Sequence, residues 1–149
     1  MQKNKNEEIA RLLRERNLRI TPVRVESVRL FLKYSTPMTI QDLYEKLKLR
    51  FKSDVPDWAT VYRTIVQFEQ SGLVAVMDLG DGVIRYEWVG LSDLSNHHHH
   101  LICTGCRSVQ HLPICDLSHL DKVAKKYHYQ NLSHKLEFFG ICPSCIRKK

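Results

Sequence analysis

Cys103-Thr-Gly-Cys106 and Cys142-Pro-Ser-Cys145 are two Cys-x-x-Cys knuckles separated by 35 residues. Four thiolates make a closed tetrahedral shell for zinc, with bonds of about 2.3 Å and no open position for a substrate. Binding energy at such a structural site is folding energy, on the order of 10 kcal/mol at neutral pH. A fifth cysteine, Cys115, stands outside both knuckles and reads as a small buried residue. Five cysteines in a chain without a secretion signal argue against a disulfide framework and for metal.

Directly before the first knuckle runs His97-His98-His99-His100. A purification tag would stand at a terminus; the plain alternative to a metal site is a solvated loop. In an extended segment side chains alternate, so His98 and His100 face one way while His97 and His99 face the other. One strand can thus feed two metal sites. Glu87 and His111 are candidates to complete the first, and His134 and His119 to complete the second. Nitrogen and oxygen donors suit Zn2+, Fe2+, Mn2+, Ni2+ or Co2+, and spacing does not choose among them.

These donors need elements to carry them, and the chain changes character along its length. All eight histidines and all five cysteines follow residue 96. Before it, Ile9, Leu12 and Leu13 recur at helical spacing over 6–17. Thr21 is placed to cap a second helix beginning at Pro22, with Val25, Val28, Phe31 and Leu32 inward. Thr39 is placed to cap a third, with Ile40, Leu43, Tyr44 and Leu47 inward. A fourth runs from Asp57 as cap to Ser71, with Gly72 as its stop. Its Val61, Ile65 and Phe68 face a core, while Tyr62, Arg63 and Gln67 project elsewhere. Alternating runs around Gly80-Asp81-Gly82 then predict a hairpin. Three helices, a helix with an exposed polar-aromatic face and a hairpin form the pattern of a winged helix-turn-helix, whose recognition helix enters the major groove of DNA. The plain alternative is a small helical domain with a hairpin and no DNA role. Beyond "VGLSDLSN" at 89–96, the best linker, the spacing predicts strands at 98–103 and 109–112, a helix over 117–127 and a strand through 133–140.

Charge is divided in the same way. Residues 1–52 hold 13 Lys/Arg against 6 Asp/Glu, residues 53–93 hold 2 against 7, and residues 94–149 hold 8 against 3. The first segment is the electrostatic footprint for a polyanion. With 43% hydrophobic and 26% charged residues the composition is that of a folded protein. No apolar run approaches the roughly 20 residues needed to cross a bilayer. The start is charged rather than apolar, so the expectation is a cytoplasmic protein with no membrane partner.

Several stretches carry a resemblance: "RITPVR" at 19–24, "ATVYRT" at 59–64, "GLV" at 72–74, "HHHHLICTGC" at 97–106 and "HKLEFFGICPSC" at 134–145. Together they resemble the ferric uptake regulator family of bacterial metal-dependent repressors, and the histidine run is most similar to that of its zinc-sensing members. The resemblance implies an α+β chain with a winged-helix DNA-binding domain over 1–88, a hinge over 89–96, and a metal-binding α/β dimerisation domain over 97–149. It implies a homodimer on double-stranded operator DNA, and a regulatory divalent metal, Zn2+, Fe2+ or Mn2+, beside structural Zn2+. Carried over by position, Tyr62 and Arg63 contact DNA from the recognition helix and Arg19 reaches the backbone or minor groove. Cys103, Cys106, Cys142 and Cys145 hold structural zinc. Glu87, His98, His100 and His111 match the hinge-side sensing site, and His97, His99 and His134 the second.

The departures are specific. No histidine precedes residue 97, where many members supply one before the third helix. His111 stands where an acidic ligand is common, and Ser118 and His119 stand where another is usual. The expectation is a metal-responsive repressor of metal-homeostasis genes and not an enzyme. Its rivals are a peroxide sensor of the same family and a metal-storage or delivery protein. A zinc hydrolase would leave the basic helical half without a role, since it needs an open metal position and a base.

Overall fold

The computed structural model describes residues 2–34, 36–90, 99–112, 118–130, 134 and 136–147, with the side chains of 2–4 and 118–121 left aside. The chain forms two compact units, Met1–Leu91 and Ser92–Lys149.

In the first unit, helices α1 (Gln2–Glu15), α2 (Pro22–Tyr34), α3 (Ile40–Phe51) and α4 (Trp58–Gln70) precede an antiparallel hairpin of β1 (Val74–Asp78) and β2 (Ile84–Trp88). The starts of α3 and α4 are written locally. Thr39 and Asp42 form a reciprocal capping box, each side chain accepting the other's backbone N–H at 2.9 Å. Asp57 caps α4 by accepting from Thr60 N at 2.7 Å. Such caps satisfy amides that the first turn leaves without partners. Gly72, just beyond α4, has φ +68°, a left-handed conformation that a side chain disfavours.

The core joins Ile9, Leu12 and Leu13 of α1 to Val28, Leu30 and Phe31 of α2, Leu43 and Leu47 of α3, and Val61, Ile65 and Phe68 of α4. Each fully buried Leu or Phe contributes roughly 1.5–3 kcal/mol. One expectation fails here. Leu32 is 46% exposed, and Leu30 is buried in its place. The buried arc of α2 is centred on Ser27, Leu30 and Phe31, and Leu32 falls beyond its edge. The hairpin is tied to the linker between α2 and α3 by a bridge in which Met38 and Tyr86 exchange hydrogen bonds of 2.9 and 2.8 Å. Trp88, closing β2, packs on Phe31 and Phe68 with ring centroids 6.0 and 6.3 Å away.

The second unit holds β3 (His99–Cys103), β4 (Val109–Leu112), α5 (Ser118–Lys126), β5 (Glu137–Gly140) and α6 (Pro143–Ile146). The sheet order is β4-β3-β5, with β4 antiparallel and β5 parallel to β3. The last strand is shorter than the run 133–140 suggested, beginning only at Glu137. Among the described residues, no helix is long and apolar enough to cross a membrane.

Candidate functional site

The four cysteines are assembled by three local devices. The end of β3 delivers Cys103, the turn after it Cys106, and Cys142 is the N-cap residue of α6, which carries Cys145. One ligand atom from each lies within 4.8 Å of the others. Cys106 Sγ and Cys142 Sγ stand 3.7 Å apart. A tetrahedron with bonds of about 2.3 Å has edges of about 3.8 Å, so the spacing fits zinc. None of the four is in a disulfide.

Backbone amides tune the cluster. Cys142 N and Cys106 N donate to Cys103 Sγ at 3.2 and 3.5 Å. These bonds favour the thiolate and hold the Cys103 thiol down to about 6. Cys145 is pushed up to about 12, first by its thiol hydrogen bonds with Cys106 and Cys142. The metal-free cluster therefore shares protons that a bound cation would displace. A methyl group on Gly105 would come within 3.2 Å of Cys145 Sγ, so the knuckle closes tightly around the thiols.

The histidines sort by strand face. His100 of β3 is paired in register with His111 of β4, and their rings lie 5.4 Å apart. His99 lies 5.1 Å from His134, ring to ring. Adjacent residues of one strand thus meet different imidazoles, as the alternation of a strand demands. His99 and His100 are buried, His111 is half-buried and His134 is exposed. His97, His98, Cys115 and the side chain of His119 lie outside the described residues. His128 is exposed and belongs to neither pair. Glu87 is buried on β2 of the first unit, 6% exposed.

Sequence reasoning passed over Glu137. The parallel pairing of β5 puts it in register with His100, opposite the side taken by His111. Only the sheet order reveals that neighbour, because the 33 residues 104–136 separate the paired strands.

On α4, Tyr62 is 51% exposed and Arg63 is exposed beside it, while Val61, Thr64, Ile65 and Phe68 seal the opposite face. Arg63 Nη2 donates to Thr60 Oγ1 at 3.2 Å. Gln67, grouped with them from the sequence, is only half-buried and accepts a hydrogen bond from Arg24. Arg19 is exposed in the turn between α1 and α2. At the hairpin, the Arg85 guanidinium donates to both carboxylate oxygens of Asp81 at 2.9 Å.

The model of the ferric uptake regulator family matches residues 15–139. The chain belongs to the ferric uptake regulator family. It is similar to the ferric uptake regulation protein of Synechococcus elongatus, 33% identical over 138 residues and covering 91% of this chain and 90% of that one. The peroxide operon regulator of Bacillus subtilis is 29% identical over 138 residues, covering 92% and 90% of the two chains. Among solved structures, the ferric uptake regulator of Francisella tularensis with iron matches with a TM-score of 0.72 at 27% identity, over 87% of this chain and 95% of that one. The ferric uptake regulator family comprises metal-responsive transcriptional regulators, peroxide regulators included.

Proposed function

We propose that this protein is a cytoplasmic, metal-gated repressor of metal-homeostasis genes that binds double-stranded operator DNA as a homodimer. The observation that carries this reading is the pairing of buried His100 with half-buried His111 across β3 and β4. The four cysteines already supply a complete structural shell for Zn2+, so this second set of donors is not needed to complete it and serves sensing.

The regulatory ion is held by Glu87, His98, His100 and His111. Glu87 ends the hairpin of the DNA-binding domain, 1–88, and the histidines belong to the dimerisation domain, 97–149, with 89–96 as hinge. An ion shared by both domains restricts their relative freedom, so that two recognition helices meet successive major grooves. A shift of population of this kind needs only a few kcal/mol of differential metal binding. Nitrogen and carboxylate donors together suit Zn2+, Fe2+ or Mn2+. His97, His99, His119 and His134 form the second site, and the proximity of His99 to His134 supports it.

On DNA, Tyr62 and Arg63 read the major groove and Arg19 reaches the backbone or minor groove. Their exposure supports these roles, as does the excess of basic residues before residue 53. The homodimer is supported by apolar side chains exposed on β5, Phe138 and Phe139, on a strand at the edge of the sheet. A storage or delivery protein would have no use for the solvent-facing pair on α4.

The test is DNA binding titrated against Zn2+, Fe2+ and Mn2+, using duplexes selected by the metal-loaded protein from a random pool. His100→Ala with His111→Ala abolishes the metal response while the four-cysteine zinc stays bound by elemental analysis. Unchanged metal-dependent binding in that variant contradicts the reading. Similarity to the Bacillus peroxide regulator favours one second reading, a peroxide sensor. Mass spectrometry of the iron-loaded protein after peroxide treatment discriminates, since only a sensor gains oxygen on a site histidine.

A further inference from the structure

We propose that Arg24 and Gln67 form a clamp that positions Arg19 relative to the recognition helix, making their groove contacts a single rigid reading head. The inference rests on the DNA-binding reading above and assigns a role to residues outside its contact set. Arg24 sits in the first turn of α2 and divides its guanidinium between two elements. Nη1 donates to the carbonyl of Arg19 at 2.7 Å, and Nη2 donates to Gln67 Oε1. Gln67 lies one helical turn beyond Arg63 on α4. A second tie runs parallel to the first, Arg16 Nη1 donating to Ser71 O at 2.9 Å just past the end of α4.

Between the ties, the turn from α1 to α2 is sharply constrained. Asn17 has φ 56°, and Leu18 N donates back to Leu13 O at 2.8 Å. Arg19 therefore leaves a turn fixed at both ends, on a base held to the same helix that presents Tyr62 and Arg63.

The electrostatics point to a polyanion rather than to stability. The turn and the end of α4 border an open, shallow cleft of about 430 Å³. Arg16, Arg19 and Arg24 line it together with Gln67 and Gln70, and among the described residues no carboxylate does. Gathering three guanidinium groups costs energy in the free protein; burial and then the charge of Arg19 lower the proton affinity of Arg24. A phosphate backbone beside the cleft offsets that repulsion, so the clamp is best satisfied on DNA. Positioning through a rigid base matters because binding costs rise with every side chain ordered on contact.

Gln67 carries no charge, which permits a clean test. Affinity for the selected duplex, at saturating regulatory metal, is measured for Gln67→Ala, Gln67→Met and Arg19→Ala, and for Gln67→Ala combined with Arg19→Ala. Thermal melts run alongside show whether each variant is folded. The clamp predicts a roughly ten-fold loss for both Gln67 variants. Gln67→Met keeps the bulk of the side chain and removes its amide, and with it the acceptor for Arg24, so packing cannot explain its loss. In the Arg19→Ala background, Gln67→Ala adds less than about a two-fold change. Wild-type affinity in Gln67→Met, or a full independent loss on top of Arg19→Ala, overturns the clamp while leaving the DNA-binding reading intact. Failure of the wild-type chain to bind any selected duplex overturns that reading and the clamp with it.

Discussion

Stripping zinc from the four-cysteine cluster will unfold the second unit and spare the first. The magnitudes follow from what each unit buries. The first holds a core of fifteen buried apolar side chains from all four helices and the hairpin. Among the described residues of the second, the buried apolar side chains are Ile102 and Cys103. Burying Ile102 contributes roughly 1.5–3 kcal/mol, against on the order of 10 kcal/mol for a structural zinc ion. Structural zinc therefore dominates the second unit and takes no part in the packing of the first. Both tryptophans, Trp58 and Trp88, lie in the first unit, and Trp88 packs on Phe31 and Phe68. Chelation should leave tryptophan fluorescence and its urea midpoint unchanged. In the same sample, amide hydrogen exchange should accelerate across residues 99–103, whose Cys103 N is now bonded to Ser108 O at 2.9 Å. Protected amides in 99–103 after complete zinc removal would refute the reasoning, and so would a tryptophan transition that moved with the metal.

Gly90→Ala places a methyl group 2.8 Å from both Leu73 Cδ2 and Trp88 Cζ2; a loss of roughly 1–3 kcal/mol in urea unfolding of the first unit follows. Glu26 is buried on α2 and accepts from Arg29 at 2.7 Å and Arg50 at 2.5 Å. Burial alone would raise its carboxyl, but hydrogen bonds from Arg50 and Arg29 outweigh it and hold it below the usual range. A depressed folded value means stability that is present above the unfolded value, about 4.5, and lost as pH falls through the folded one. Glu26→Gln should thus cost roughly 1–3 kcal/mol at pH 7, and the urea midpoints of variant and wild type should converge as pH falls through the depressed folded value. Phe139→Glu charges the exposed edge strand β5, and if β5 lies in the proposed homodimer interface, light scattering should show a lower mass for the variant than for the wild type at equal concentration.

The elements most legible in the sequence were those set by local chemistry. Thr39 with Asp42, and Asp57 with Thr60, announce helix starts through hydrogen bonds spanning three residues. Gly80-Asp81-Gly82 marks the hairpin for the same reason. The two cysteine knuckles are legible because four thiols with that spacing have few other uses. What escaped was set at long range. Leu30 and Leu32 are equal in hydrophobicity, and only the placement of the neighbouring helices decides which is buried. Glu137 gained its position beside His100 from a parallel register that no periodicity encodes. Gln67 read only as projecting away from the core, because its partner, Arg24, lies 43 residues away.

The most direct test of metal gating is the affinity of the selected duplex for wild type and for the His100→Ala, His111→Ala variant, measured as regulatory metal is raised with structural zinc in place. The account predicts that wild-type affinity climbs with metal by at least about ten-fold, or 1.4 kcal/mol, while the variant stays at the metal-free level. Equal climbs in both proteins would contradict it.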